Sequence, residues 1–110
     1  SFLTIRRVEY LTESLTYTEV PGERADHELT VFALSTCAFC RRGMEYLSKN
    51  GFHYQYVHVD QLDVERKRRL KQELKERYDV VPVFPILVID NARAYSGFTE
   101  MIWSRALGVS

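Results

Sequence analysis

The sequence predicts an α/β domain in which helices cover both faces of a central, mixed, four-stranded sheet. After residue 28, apolar runs of strand length alternate with amphipathic helical segments in the order β-α-β-α-β-β-α. The first β-α-β unit predicts a right-handed parallel crossover. A length of 110 residues fits one domain, and a 45% apolar fraction with seven Tyr, six Phe and one Trp indicates a packed core.

Composition and charge argue against several function classes. Fifteen Lys/Arg balance fifteen Asp/Glu, so the basic excess typical of a nucleic-acid-binding domain is missing. No apolar run approaches the roughly 20 residues of a membrane span. No signal peptide is visible, although the chain begins with Ser1 rather than Met. We therefore expect a cytoplasmic protein with no nucleic-acid partner and no membrane partner.

Residues 1–28 are predicted to form an extension that precedes the main domain, which spans residues 29–110. Residues 2–20 alternate loosely between polar and apolar, as a β-hairpin does, with a turn near Glu13. Pro21 breaks this pattern, and a polar linker follows. The hairpin could pair with a sheet edge, form a dimer contact or bind a partner. These alternatives stay open, as does the choice between a monomer and a weak dimer.

The first strand and helix of the main domain have clear signals. Residues 29–34 form a continuous apolar run, which is typical of a strand buried on both faces. Ser35 and Thr36 supply N-cap chemistry for a helix over residues 39–50. Gly51 suits the left-handed position that ends such a helix.

A second strand and a longer helix follow. Residues 53–59 are dense in Tyr, Val and His, as strands are. Asp60 or Asp63 can cap a helix that reaches about residue 78 and turns Leu70 and Leu74 to one face. Two exposed ion pairs are expected along it: Glu65–Arg69 and Glu73–Arg77.

The last part of the chain predicts two short strands and one helix. Pro85 opens an apolar strand over residues 86–89, and a short return strand covers residues 93–95. Thr99 can cap the final helix, which Gly108 ends.

Cys37 and Cys40 are the residues that carry chemistry. They lie where the buried first strand passes into a helix. Cys37 precedes the first helical turn, where free N–H groups, the helix dipole and nearby Arg41 favour a thiolate. Cys40 lies inside the first turn and closer to the core. This asymmetry suits dithiol exchange, in which Cys37 attacks a disulfide and Cys40 resolves the mixed disulfide.

The cysteine pair has three other interpretations. A zinc site needs two more ligands, and the chain offers only His27, His53 and His58. A static disulfide across so short a loop adds little stability. Two inert core thiols are a third alternative. A non-catalytic partner-binding module, whose cysteine pair either holds zinc at a shared interface or lies idle, is the second functional hypothesis.

Three sequence blocks resemble the glutaredoxins and the related NrdH-type redoxins of the thioredoxin superfamily. They are residues 30–40 (TVFALSTCAFC), 84–90 (FPILVID) and 96–100 (SGFTE), in the family's order and spacing. The resemblance covers about 80 of the 110 residues. It implies a thioredoxin-like fold and a dithiol–disulfide oxidoreductase that reduces protein or glutathione mixed disulfides. It also implies Cys37 as nucleophile and Cys40 as resolving thiol.

The same resemblance implies a substrate groove beside the cysteines. Pro85 would be the family's cis-proline, Phe84 would border the substrate, and the turn at Gly97 would precede the last helix as a glutathione-binding turn. The implied groove residues are Thr36, Phe39, Phe84, Pro85, Gly97, Phe98 and Thr99.

No bound cofactor and no metal are expected. The implied electron source is glutathione or a donor of the thioredoxin-reductase type, and the implied partner is a disulfide-containing protein. Ala38-Phe39 replaces the usual Pro-Tyr between the cysteines, and Thr99 replaces an acidic residue that binds the glutathione amino group. These departures favour a general dithiol oxidoreductase over glutathione specificity.

Overall fold

A five-stranded sheet with strand order β1-β3-β2-β4-β5 organises residues 9–109, which are the residues described by the computed structural model. Strand β2 is central; it is parallel to β3 and antiparallel to β4. The elements in chain order are β1 (Thr18–Val20), β2 (Leu29–Ala33), α1 (Ala38–Lys49), β3 (Tyr54–His58), α2 (Val64–Tyr78), β4 (Ile86–Ile89), β5 (Arg93–Ser96) and α3 (Glu100–Leu107). The mixed sheet and the β-α-β-α-β-β-α order after residue 28 are as predicted.

The sheet separates two apolar layers because side chains alternate along each strand. On one face, strand residues such as Val31 and Leu87 pack with α1 and α3. On the other face, Phe32 and Val88 pack with α2. All five residues of β2 are buried, which explains the continuous apolar run in the sequence.

Side-chain caps begin all three helices. Asp63, not Asp60, caps α2 by accepting the Arg66 backbone N–H, and Thr99 caps α3 as predicted. The predicted capping role of Ser35 and Thr36 is wrong, because the N-cap of α1 is Cys37 itself. The Ser35 hydroxyl is occupied elsewhere, in a hydrogen bond to Asp60.

The N-terminal part differs from the predicted hairpin. Within residues 9–28 the chain forms a 3₁₀ turn (Leu11–Ser14) and then a single strand, β1, which pairs antiparallel with β3. The sheet therefore has five strands rather than four. The part of the predicted first arm at residues 2–8 lies outside the described residues.

Helix α2 explains why residues 9–17 adopt this turn instead of a strand. Leu11 and Leu15 pack into the same apolar cluster as the inward face of α2. The Glu73 carboxylate accepts the backbone N–H groups of Leu11 and Thr12, at 2.5 and 3.3 Å. Those N–H groups are thereby satisfied by a side chain and do not need a partner strand.

The ion pairs of α2 follow the prediction only partly. Glu73 and Arg77 pair at 3.7 Å. Glu65 pairs with Arg68 at 2.6 Å and not with Arg69, since residues three apart are also neighbours on a helix surface. Between residues 9 and 109, no helix is long and apolar enough to cross a membrane.

Candidate redox site

Both cysteines lie at the junction between β2 and α1, and both are free thiols. A turn leads into the junction, in which the Cys37 backbone N–H donates to the Leu34 carbonyl at 3.4 Å. Cys37 then takes the extended conformation of an N-cap residue, and the Cys40 backbone N–H donates to the Cys37 sulfur at 3.2 Å. The N–H of the third helical residue, one of the free N–H groups at the start of α1, therefore points at Cys37 Sγ, and such a contact stabilises negative charge on sulfur.

The two thiols have different surroundings. Cys37 is half-buried and reachable from solvent, whereas Cys40 is 0% exposed. Burial, and to a smaller extent the hydrogen bond with Cys37, raises the pKa of Cys40 to about 12. The Leu34 backbone N–H also donates to Cys40 Sγ, at 3.4 Å. Cys40 is therefore a protonated, enclosed thiol beside an accessible one, which is the asymmetry that the sequence predicted.

The loop before β4 brings Pro85 to the cysteines. The Phe84–Pro85 peptide bond is cis, as the resemblance implied, and Pro85 is fully buried. Ile86 pairs with Phe32 in the sheet, so Pro85 lies beside the end of β2 from which the cysteine motif starts. This placement follows from the antiparallel register of β2 and β4.

A turn between β5 and α3 closes the site from the other side. The Gly97 backbone N–H donates to the carbonyls of Val83 and Pro85, at 3.1 and 2.8 Å, so this turn and the proline loop form one unit. Gly97 has φ +76, a conformation that favours glycine. Its carbonyl accepts the Trp103 indole N–H at 3.0 Å.

Contacts between α1 and α3 hold this turn against the motif helix. Trp103 is 0% exposed, and its ring packs so closely on Gly43 that a Cβ there would lie 2.8 Å from it. Phe98 packs edge-on against Trp103, with ring centroids 4.9 Å apart. Phe98 is therefore a packing residue of this junction as well as a member of the predicted groove.

The predicted site residues come from three segments that converge on the end of the sheet. Thr36 and Phe39 are exposed on the motif, and the guanidinium of Arg42 lies 5.4 Å from the centre of the Phe39 ring. Phe84 lies between Val83 and Pro85, whose carbonyls are hydrogen-bonded to the Gly97 N–H. Thr99 is exposed, but its hydroxyl is used as the cap of α3, since it accepts the Ile102 N–H at 3.2 Å.

Sequence reasoning missed two features of the site. One is a set of exposed apolar side chains on these segments: Val81, Val83, Met101 and Ile102. The apolar run around Pro82 is a sequence signal for the first two. The other feature is the contact between Ser35 and Asp60, which brings together residues 25 positions apart and has no local sequence signal.

Among residues 9–109, no group of three or more His, Cys, Asp and Glu side chains is arranged to hold a metal ion. His27 and His53 are hydrogen-bonded to Asp90 and Glu19, at 2.8 and 3.1 Å. The zinc-holding alternative therefore has no ligand set in the part of the chain that the structure describes.

Comparisons with known proteins agree with this geometry. The family model described as Glutaredoxin matches residues 29–93. A curated relative, the N-acetyl-S-hydroxy-L-cysteine reductase of Bacillus subtilis (strain 168), is 30% identical over 73 residues, which are 66% of this chain and 72% of the relative.

Solved structures of glutaredoxin-type proteins are similar to this chain over most of its length. The glutaredoxin from Methanosarcina mazei Go1 is similar with a TM-score of 0.71 at 27% identity, covering 84% of this chain and 87% of that one. The methanoredoxin of Methanosarcina acetivorans is similar with a TM-score of 0.66 at 29% identity, covering 79% and 90%. The chain therefore belongs to the glutaredoxin family and has the family's thioredoxin-like fold and a cysteine pair suited to thiol–disulfide exchange.

Proposed function

We propose that this protein is a dithiol–disulfide oxidoreductase that reduces disulfides of protein partners through Cys37 and Cys40. The observation that carries the proposal is the unequal pair of free thiols at the start of α1. Cys37 is accessible and accepts a helix N–H, whereas Cys40 is enclosed and its pKa is raised by burial. Membership of the glutaredoxin family supports the same chemistry.

The reaction has two exchange steps. The Cys37 thiolate attacks one sulfur of the substrate disulfide, a mixed disulfide forms, and the other substrate sulfur leaves as a thiolate that takes a proton from water. Cys40 then loses its proton to solvent and attacks Cys37 Sγ. A Cys37–Cys40 disulfide forms, and the second substrate thiol is released. The substrate gains two electrons, which an external donor later returns to the protein.

An exposed apolar surface supports a protein partner. Among residues 9–109, five of the six large apolar side chains that are exposed lie on α1, on the loop before Pro85 and on α3. We call these five the apolar rim: Phe39, Val81, Val83, Met101 and Ile102. Exposed apolar patches mark protein contacts. Glutathione, a small and highly charged peptide, gains less from such a surface.

The donor and the compartment are part of the proposal. Either glutathione or a thioredoxin-reductase-type enzyme can return electrons to a dithiol of this kind, and the departures at Ala38-Phe39 and Thr99 favour the second. Since a reducing dithiol works where the thiol pool is kept reduced, we propose a reducing compartment such as the cytoplasm.

A second candidate substrate comes from the curated relative, whose name describes reduction of a cysteine sulfenic acid. The same cysteines can carry out this reaction. The Cys37 thiolate, with one proton, displaces water from the sulfenic sulfur and forms a mixed disulfide. Cys40 then attacks Cys37 Sγ and releases the thiol, so two electrons again pass to the substrate.

Cysteine variants test both substrates in one assay. The wild-type protein is supplied with a protein disulfide, glutathione disulfide or N-acetyl-S-hydroxycysteine made in situ, and with either glutathione plus glutathione reductase or thioredoxin reductase. We expect turnover that Cys37→Ser abolishes. We expect Cys40→Ser to accumulate a mixed disulfide at Cys37, detectable by mass spectrometry. Full turnover by Cys37→Ser, or stoichiometric zinc without turnover in the wild type, would contradict the proposal.

A further inference from the structure

Asp60 makes a two-point contact with the turn that carries Cys37. It lies just after β3, in the 3₁₀ turn Val59–Gln61. One carboxylate oxygen accepts the Ser35 backbone N–H at 2.9 Å, and the other accepts the Ser35 hydroxyl at 2.5 Å. Hydrogen bonds to an ionised acceptor are stronger than neutral ones, and two of them define an orientation as well as a distance.

Asp60 is suited to this contact in its ionised form. The Ser35 hydroxyl and backbone N–H hold the pKa of the Asp60 carboxyl below its usual range. The charge of nearby His58 acts in the same direction. Both oxygens are therefore available as acceptors at neutral pH.

The turn from Leu34 to Cys37 has a second anchor on its other side. The Leu34 backbone N–H donates to the Cys40 sulfur at 3.4 Å. The turn is thus attached to α1 through Cys40 and to the end of β3 through Asp60. Only the anchor at Cys40 involves a reacting sulfur atom.

The anchor at Cys40 uses the atom that reacts. In the resolving step, Cys40 Sγ must approach to about 2.05 Å from Cys37 Sγ. Its hydrogen bond with Leu34 changes at this moment, because the sulfur exchanges a proton for a covalent bond. The contact between Asp60 and Ser35 involves neither sulfur, so the exchange does not require it to break.

We infer that Asp60 is a positioning residue of the redox site, holding the Ser35 turn so that Cys37 stays in line for attack by Cys40. The inference rests on the proposed exchange reaction. It assigns Asp60 to the resolving step and not to the first attack.

Asp60 affects the rate of the resolving step in two opposite ways: its hydrogen bonds to Ser35 favour the step, and its negative charge disfavours it. A variant that removes only the charge therefore separates the two effects. As a nearby negative charge, it contributes to raising the pKa of Cys40 and so disfavours the resolving thiolate. Removing the charge alone therefore speeds the resolving step, whereas losing the anchor slows it. An Asn at this position keeps one of the two acceptor oxygens for Ser35 and loses the charge, so a partial loss of the anchor and the removal of the charge act in opposite directions.

The experiment measures the two exchange steps separately in single-turnover reactions with a protein disulfide. For Asp60→Ala we expect the release of the second thiol to slow about tenfold, less than the roughly hundredfold loss that a 1 Å misplacement of a reacting group can cause. Its first step, followed by alkylation of Cys37 with iodoacetamide, should stay within about twofold of wild type. Asp60→Asn should restore the resolving rate to at least half the wild-type rate.

Asp63→Ala is the matched control. Asp63 is also exposed, also accepts a backbone N–H, and is three positions away, but it caps α2 and does not touch the motif. Its loss changes the net charge equally and weakens a helix cap. We expect it to lower thermal stability and to leave both exchange steps unchanged. Ser35→Ala removes one of the two hydrogen bonds without changing any charge and should give a partial slowing.

The outcomes separate this inference from the proposed function. A wild-type protein that does not exchange disulfides at all contradicts the function itself. An active wild type with Asp60→Ala resolving at the wild-type rate, or slowed no more than Asp63→Ala, overturns only the role of Asp60. If Asp60→Ala does not fold, the same comparison is made with Ser35→Ala, where an unchanged resolving rate overturns the inference.

Discussion

At the scale of single residues, Cys37 and Cys40 differ because a helix begins between them. The residue before the first turn stays at the surface and faces the free N–H groups of the helix, whereas the residue three positions later turns inward. Cys37 Sγ accepts a hydrogen bond from one of these N–H groups, and Cys40 is buried in the core beneath α1. The local geometry thus assigns unequal roles to two identical side chains.

The raised pKa of Cys40 predicts how its reactivity depends on pH. With a pKa of about 12, only about one part in ten thousand of Cys40 is thiolate at about pH 8. In Cys37→Ser, we expect alkylation of Cys40 by iodoacetamide to be slow at neutral pH and to rise about tenfold per pH unit up to about pH 11. In the matched variant Cys40→Ser, alkylation of Cys37 at neutral pH should be at least about a hundredfold faster. Equal rates in the two variants would show that burial does not control the reactivity of Cys40.

At the scale of elements, the site depends on the close approach of α1 and α3. Gly43 provides the space for the Trp103 ring, and Trp103 in turn holds the carbonyl of Gly97. The turn that contacts the Pro85 loop is therefore positioned through the packing of two helices. A glycine within a helix lowers helix propensity, and here the close approach explains its presence.

Gly43→Ala tests this packing. Alanine favours the helix by up to about 1 kcal/mol, but its Cβ would lie 2.8 Å from the fully buried Trp103 ring. Overpacking of this kind costs about 1–3 kcal/mol, so we expect a net loss of stability in urea unfolding. We also expect slower disulfide exchange, because the turn at Gly97 moves with α3. Glu45→Ala, at an exposed position of the same helix, is the control and should change stability by less than about 0.5 kcal/mol. A Gly43→Ala protein as stable as wild type would contradict this account.

At the scale of the whole molecule, the sheet divides the protein into a redox side and a supporting side. The cysteines pack with α1 and α3 on one face. Residues 11–15 and α2 pack on the other. Glu73 joins the N-terminal segment to α2, and Arg77 adds a cation–π contact to Tyr10, 3.7 Å from the ring centre. The supporting side therefore contributes stability without contacting the thiols.

Glu73→Ala tests this division. The substitution leaves the N–H groups of Leu11 and Thr12 without their carboxylate, which costs about 1–3 kcal/mol of stability. We expect a lower urea midpoint with an unchanged rate of disulfide exchange in the folded protein. Glu76→Ala is the control, because Glu76 is exposed and is bonded only to Gln72 among the described residues. If Glu73→Ala lowers the rate of disulfide exchange without denaturant, where the protein is fully folded, the two faces of the sheet are not independent.

The sequence alone was sufficient for most elements of the main domain and for the chemistry of the cysteine pair. Signals there are local: a continuous apolar run for β2, a glycine after α1, Thr99 before α3, and two cysteines at the start of a helix. Each depends on residues within a few positions of one another, and the predicted bounds differ from the structure by only one or two residues at most of these ends.

The tertiary structure decided what depends on distant residues. Within residues 9–28, the chain forms a turn and one strand because Glu73, about 60 positions away, accepts the N–H groups of the turn, and because β1 pairs with the outer edge of β3. Two further contacts join parts of the chain that no local sequence pattern relates. They are the hydrogen bonds between Ser35 and Asp60, and those between Gly97 and the Pro85 loop. Hydrophobic periodicity and capping residues determine single helices and strands. How these elements pack together depends on which backbone polar groups still lack a hydrogen-bond partner and which apolar faces are still exposed after each element forms.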